Sequence, residues 1–357
     1  MRTPHSITII ASALLCLLLL VGCDVHELPS ASPTAPLCLN LRFSTDMTMT
    51  EHPIDASRTD VHPSAALTSG EMRYIIRLYD QNAKSKSKSK SKASDADMVG
   101  EYIFTRNIAD GYDAQFLIDV APGTYSVMVW ADISDVAGKA PRFYNADHFS
   151  AIALLPDHEG STNYRDAFRG STDITVTTDI FEQSPSTVEI AMERPMAKFE
   201  FVTTDIEEFI EREINAALSR GEINLNDITP ENSLIDTEQY DVVFYYTGFM
   251  PSTYNLFTDK PIDSTIGTTF HGRITRLNNS EASIGFDYVF VNGSETYVTI
   301  QIAIFDRNGR QLSLSNPTKV PLRRNNHTVM KGRFLMQSAH GGVSVDPSFG
   351  GNFNISI

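Results

Sequence analysis

Cysteine is scarce in this chain, with Cys16, Cys23 and Cys38 the only three in 357 residues. Cys16 and Cys23 belong to an apolar leader and its end, so Cys38 is left alone. That excludes an intrachain disulfide framework and leaves stability to packed cores. Basic charge is also short: 29 Lys and Arg stand against 44 Asp and Glu, a formal net charge of -15. Such a surface repels nucleic acid and anionic lipid alike. Long apolar runs are limited to Ile7–Gly22, short of the roughly 20 residues that span a bilayer comfortably. Catalytic and metal motifs are missing. The nine histidines form no His-x-x-x-His, and there is no Cys-x-x-Cys, no Gly-x-Ser-x-Gly and no phosphate-cradling glycine loop. The reading is non-enzymatic, with no cofactor and no metal.

What is present begins with the leader. Arg2 supplies its only charge, and Leu20-Val21-Gly22-Cys23 ends it with small residues before a cysteine. That pattern is a bacterial lipoprotein export signal, in which the Cys23 thiol takes a diacylglycerol, the peptide is cut before it, and the new amino group is acylated. Two or more acyl chains, at about 0.8 kcal/mol per buried methylene, hold a protein firmly on a membrane. Residues 1–22 are thus the signal peptide and Cys23 the lipidation site. Residues 23–36, with Pro29, Pro33 and Pro36 among Ser, Ala and Thr, are a tether of unpacked chain. Asp24 does not by itself assign the leaflet.

The remainder reads as mainly β, in two tandem antiparallel β-sandwich domains over residues 37–195 and 196–357, with one short helix in the second. Leu37, Leu39, Leu41 and Phe43 alternate with polar residues, which places a half-buried first strand with Cys38 on the opposite face. Further strands are expected at Met72–Tyr79, Val99–Thr105, Gln115–Val120, Tyr125–Ala131, Ile174–Thr177 and Thr187–Met192. Ala121-Pro122-Gly123-Thr124 reads as a hairpin turn, as do Asn292-Gly293 and Asn308-Gly309. Trp130, the only tryptophan, is read as a core anchor rather than a binding aromatic. Lys84–Lys92 alternates Lys and Ser without an apolar residue; it reads as a variable loop tip, with a basic patch for a polyanionic glycan or lipopolysaccharide as the competing reading.

In the second unit Ile206, Phe209, Ile210, Ile214, Ala217 and Leu218 share one helical face. Asp205 and Glu208 form an expected capping box and Gly221 the stop. Strands follow at Tyr240–Thr247, Ala282–Val291, Tyr297–Asp306, Gln311–Leu314, Thr328–Met336 and from Asn352. Three carboxylate groupings are weak cation candidates: Asp132 and Asp135 beside Gly138, which resemble a calcium loop without the EF-hand spacing and read equally as a polar strand connection, Asp147-His148, and Asp157-His158-Glu159. Solvated loop is the better reading for the last two, because adjacency in sequence does not converge side chains on a point.

Several blocks in combination resemble the fimbrillin-like (Mfa-like) outer-membrane lipoproteins of Bacteroidales. They are Cys23–Pro29, Met128-Val129-Trp130-Ala131-Asp132, Phe143-Tyr144-Asn145, Tyr164-Arg165-Asp166-Ala167-Phe168, Met192–Phe199 and Val320–Gly332. The likeness is closest to a branch of unassigned function. It implies two transthyretin-like sandwiches in a surface lipoprotein related to pilins, tip proteins and pilus anchors, with fimbrial subunits as partners by strand exchange and the outer membrane held through the N-terminal lipid. In polymerising members an Arg-directed protease removes the first strand, and a strand of the next subunit fills the groove. Here Leu37–Phe43 would be that strand and Arg58 the candidate cut, with Arg42 and Arg73 nearby. The favoured reading leaves the loop uncut and the strand permanent. The function expected is therefore that of a pilus anchor, accessory subunit or adhesin acting by protein contacts. The alternative is a cell-surface glycan-binding lipoprotein with Tyr144, Tyr164 or Phe168 stacking on sugar, and a hydrolase on sandwich loops is a third.

Overall fold

The computed structural model describes residues 34–53, 70–82, 94–134, 142–177, 185–224 and 237–337. Cys23, Arg58, the Lys84–Lys92 tract, Asp135, Gly138 and the strand expected from Asn352 lie outside the described residues.

The first half supplies β1 (Ala35–Phe43), β2 (Thr48–Pro53), β3 (Glu71–Asp80), β4 (Met98–Asn107), β5 (Ala114–Val120), β6 (Gly123–Ile133), β7 (Tyr144–Asn145), β8 (Ile152–Leu154), β9 (Ala167–Val176) and β10 (Ser186–Met192). A four-stranded sheet in the order β4-β3-β6-β9 faces a three-stranded sheet in the order β10-β1-β5. Leu37, Leu39 and Leu41 meet Phe116, Ile118, Tyr74, Val127 and Val129 between them. Strand β5 shows the clean alternation of a sheet with one wet face, Ala114, Phe116, Ile118 and Val120 being buried. Strand β3 does not alternate, because both its faces are covered: Tyr74 and Ile76 join this core while Ile75 and Tyr79 join another.

The second half supplies β11 (Met196–Thr203), α1 (Ile206–Ser219), β12 (Asp241–Tyr246), β13 (Met250–Asn255), β14 (Lys260–Thr265), β15 (Thr269–Gly272), β16 (Thr275–Arg276), β17 (Ala282–Phe290), β18 (Glu295–Phe305), β19 (Gln311–Leu314), β20 (Thr318–Arg323) and β21 (Asn326–Gly332). Sheet β16-β17-β11-β21-β2 packs on a second sheet in which β12 and β15 lie on one side of β18 and β19 and β20 pair with the other. Phe199, Phe201, Phe244, Phe270 and Ile302 fill the space between, and Ile206, Phe209 and Ile210 of α1 join them. The fold is therefore mainly β, with two sandwiches in series and the helix in the second.

Three features join the halves. Strand β2 crosses over to pair in parallel with β21 at the edge of the second sandwich. A four-stranded sheet, β14-β13-β8-β7, draws two strands from each half. Beneath it a third core gathers Trp130, Tyr144, Phe149, Tyr254, Tyr288 and Phe290. Trp130 is fully buried there, its indole N–H donating to Asp132 at 3.0 Å, as a core anchor requires.

Some local expectations are corrected. The Ala121–Thr124 turn is not a hairpin: β5 pairs with β1, and β6 pairs with β3 and β9, so the turn carries the chain between facing sheets. Asn292-Gly293 does the same between β17 and β18, whose partners differ, whereas Asn308-Gly309 does close the β18–β19 hairpin. The capping box is not formed. The Asp205 carboxylate instead accepts from the Thr203 hydroxyl and from the Met336 backbone at 2.9 Å, and Glu208 reaches Arg333 at 2.7 Å. Pairing is also not purely antiparallel, since β1–β10, β11–β21 and β2–β21 are parallel.

Candidate functional site

Strand β1 occupies the middle of its sheet. Leu37–Phe43 pair with Ser186–Met192 of β10 in parallel, and Ala35–Leu41 pair with Val120–Ala114 of β5 in antiparallel register. A central strand uses both its backbone edges, and Leu37, Leu39 and Leu41 are buried. At about 1.5–3 kcal/mol for each fully buried leucine, this strand contributes on the scale of the net stability of a domain. Cys38 lies on the other face, as expected, and is also buried, with the Gln115 amide donating to its sulfur at 2.9 Å.

The chain just beyond β1 is clamped. Arg194, on the link between the sandwiches, donates to Asp166 from Nε at 2.8 Å and from Nη2 at 2.8 Å. Its Nη1 reaches the Ser44 carbonyl at 3.2 Å and the Asn325 side chain at 2.9 Å. Asn325 in turn donates to the Asp46 carbonyl at 3.1 Å and stands at φ 56, a left-handed turn position that asparagine tolerates. Burial would lower the Arg194 pKa, but Asp166 raises it above the ordinary arginine value.

A second buried cluster centres on Asp287 of β17. It receives Arg165 Nη1 at 2.8 Å, His158 Nε2 at 2.6 Å, the Tyr246 hydroxyl at 2.6 Å and the Tyr288 backbone N–H at 2.7 Å. Burial would raise this carboxyl, yet Arg165 and His158 hold it below the usual range. A third cluster joins Arg169 and Arg324 to Asp259 at 2.9 and 2.6 Å, with the Tyr254 hydroxyl on the same carboxylate. The blocks that carry the family resemblance thus meet in space: Asp166 with Arg194, Asn325 with Arg194, and Tyr144 donating to the Arg165 carbonyl at 2.5 Å. Sequence reading treated them as framework and missed their ionic partners. The available signal was charge set among apolar and aromatic residues, as at Lys198 between Ala197 and Phe199.

The other expected positions fall as follows. Asp132 is buried and taken by Arg73 at 2.6 Å. Burial raises its pKa despite that partner, so it is an internal ion pair and not part of a calcium loop. His148 is exposed, whereas His158 is drawn into the Asp287 cluster, which corrects the solvated-loop reading of Asp157–Glu159. Tyr144 and Phe168 are buried core aromatics and not sugar-stacking loop residues, while Tyr164 is half-buried beneath Arg142 at 4.6 Å. Of the nearby arginines, Arg73 is buried, and Arg42 is exposed on β1 beside Asp113 at 3.0 Å. Among the described residues no three His, Cys, Asp or Glu side chains converge as metal ligands, and no helix is long and apolar enough to cross a membrane.

A family model described as a family of unknown function (DUF6562) matches residues 33–357. The chain belongs to this family. No curated protein matches it. Among solved structures it is similar to a candidate adhesin from Bacteroides ovatus at 12% identity, over 80% of this chain and 76% of the other, with TM-score 0.35. It is also similar to candidate polysaccharide binding proteins from Bacteroides thetaiotaomicron at 10% identity, covering 78% of each chain, TM-score 0.39. The fimbrial anchor protein Mfa2 from Porphyromonas gingivalis is similar at 9% identity, over 79% of this chain and 82% of that one, TM-score 0.36. Similarity at this level leaves the functional argument to the residues themselves.

Proposed function

We propose that this protein is a surface lipoprotein of the fimbrillin-like type, lipidated at Cys23 and held on the outer membrane. It acts by protein contacts, as a pilus anchor or accessory subunit, and keeps its first strand. The observation that carries the reading is the seat of β1: bonded on both edges, buried through three leucines, and clamped at Ser44 by Arg194. Ala35 and Pro36, expected in the tether, already belong to β1, so a body tethered through the residues before them would transmit load from its membrane end directly into a central strand. The ionic clusters between the sandwiches then resist shear, since breaking a buried pair by removing one partner costs about 3–5 kcal/mol.

A polymerising subunit would do the opposite and release that strand. Cleavage at Arg58 would separate both β1 and β2 from the rest of the chain, opening the first sandwich at its centre and the second at its edge. Incubating the purified mature protein with an Arg-specific protease tests the reading. We expect monomers or degraded fragments; a ladder of stable oligomers would establish strand exchange instead.

The glycan reading keeps one observation in its favour, at a different place. An open groove of about 770 Å³ on the second sandwich is lined by Tyr240, Tyr245 and Phe305 beside Glu238, Asp241 and Arg273, a mixture of aromatic and hydrogen-bonding side chains suited to sugar. Chemical-shift or heat-of-binding changes on adding surface polysaccharide, lost in Tyr245→Ala, would support it.

A further inference from the structure

Lys198 of β11 has 1% of its surface exposed. Its amine lies 3.9 Å from the centre of the Phe286 ring and 5.7 Å from that of Tyr288. Loss of solvation lowers its pKa to about 8; Arg194 acts in the same direction, while Glu200 and Asp166 oppose it. Those two carboxylates are otherwise engaged, Glu200 with His327 at 3.0 Å and Asp166 with Arg194. Nζ of Lys198 stands 3.1 Å from Oδ1 of Asn163, and the Tyr288 hydroxyl donates to the same oxygen at 3.0 Å. Asn163 opens the short turn Asn163–Arg165 that leads into β9, so the amide and the amine come from opposite sides of the junction.

A sequestered amine, a carboxamide within its reach and a phenol already bonded to the amide oxygen are the components of an acyl exchange. We propose that Lys198 and Asn163 condense into an intramolecular isopeptide bond that ties the 163–165 turn covalently to β11. The neutral amine attacks Cγ of Asn163, and the Tyr288 O–H steadies the negative charge that develops on Oδ1. The new Nζ–Cγ bond forms, the bond from Cγ to the side-chain nitrogen breaks, and a proton passes from Nζ to that nitrogen, which leaves as ammonia. No oxidant or co-reactant is required. Tyr288 remains a donor throughout, since burial raises its pKa well above the ordinary tyrosine value. Holding the two groups in contact supplies the proximity that an intermolecular reaction lacks.

The product closes a covalent loop over residues 163–198 that contains β9 and β10, the latter being the parallel partner of β1. Tension arriving through the first strand would then cross the junction by a bond rather than by ion pairs alone. This inference stands independently of the lipid anchor.

Intact mass of the full mature chain under denaturing conditions tests it. The wild type is expected to be lighter than its sequence by one ammonia. A denaturing digest should yield a branched peptide joining Asn163 to Lys198, with no tryptic cleavage after Lys198. Formation should accelerate from pH 7 to pH 9, as the neutral amine rises from about one-tenth to about nine-tenths of the population around a pKa of 8. Asn163→Asp should lose water in place of ammonia, Tyr288→Phe should slow the reaction, and Lys198→Arg should give the full sequence mass. A wild type of full mass with Lys198 free after incubation at pH 9 would overturn the proposal, as would an ammonia loss that persists in Lys198→Arg. The wild-type measurement decides the matter even if a variant fails to fold.

Discussion

Arg194 and Asp166 form a buried, doubly bonded pair at 2.8 Å on the link between the two sandwiches, and the arginine's remaining nitrogen holds the chain that leaves the first strand. The pair sits where the Met192–Phe199 and Tyr164–Phe168 blocks approach each other, and it ties the chain just after β1 to the junction. Replacing Arg194 by Met should leave Asp166 uncompensated and destabilise the protein by about 3–5 kcal/mol. The denaturation midpoint is the readout, and Arg194→Met with Asp166→Leu should recover part of the loss.

Acid should act through Asp287. Its folded pKa lies below the ordinary value of 3.8 because Arg165 and His158 outweigh its burial. The stability it contributes is therefore fully present above that ordinary value and is lost as pH falls through the lower folded one. Equilibrium unfolding between pH 6 and pH 2 should show the wild type falling steeply at the acid end. Asp287→Asn should be less stable at pH 6 and should lack that part of the slope.

Leu39 is fully buried in the central strand. Leu39→Ala should cost about 2–5 kcal/mol, whereas Leu117→Ala, at an exposed position on the adjacent β5, should change stability by about 0.5 kcal/mol or less. Parallel urea titrations of the two variants check the contrast.

Gly272 marks a close approach between the two sheets of the second sandwich. A Cβ built there would lie 2.1 Å from the Ile284 carbonyl oxygen and 2.7 Å from the Phe244 ring. Gly272→Ala should lower the thermal midpoint by several degrees, an effect on the order of 1–3 kcal/mol for an overpacked site. A midpoint equal to wild type would show that the sheets yield at this point.

The strands with a period of two were legible in the sequence, because β5 buries one face and wets the other and β1 sets its leucines on one face, although Cys38 on the opposite face is buried as well. Helix α1 was legible for the same kind of reason, at a period of 3.6, and Gly221 at φ 70 closes it as expected. Sheet partners were not legible. The Ala121–Thr124 and Asn292–Gly293 turns have hairpin chemistry, but a turn fixes only the local reversal, and whether the next strand bonds beside its predecessor or across the core is decided by tertiary packing. Strands β13 and β14 escaped notice because Pro251 and Pro261 interrupt them and β14 is mostly exposed. The junction was hidden for a further reason: ion pairs such as Arg165–Asp287 join residues more than a hundred positions apart, and nothing in either local sequence names the other.

Recovery of the protein from outer membranes of cells that produce it, followed by mass analysis of its N-terminal peptide, bears most directly on the account. The account predicts a chain that begins at Cys23, carries acyl groups on that residue and continues unbroken through Leu37–Phe43. A surface population that begins after Arg58 without lipid, or a chain bearing an unmodified Cys23, would contradict it.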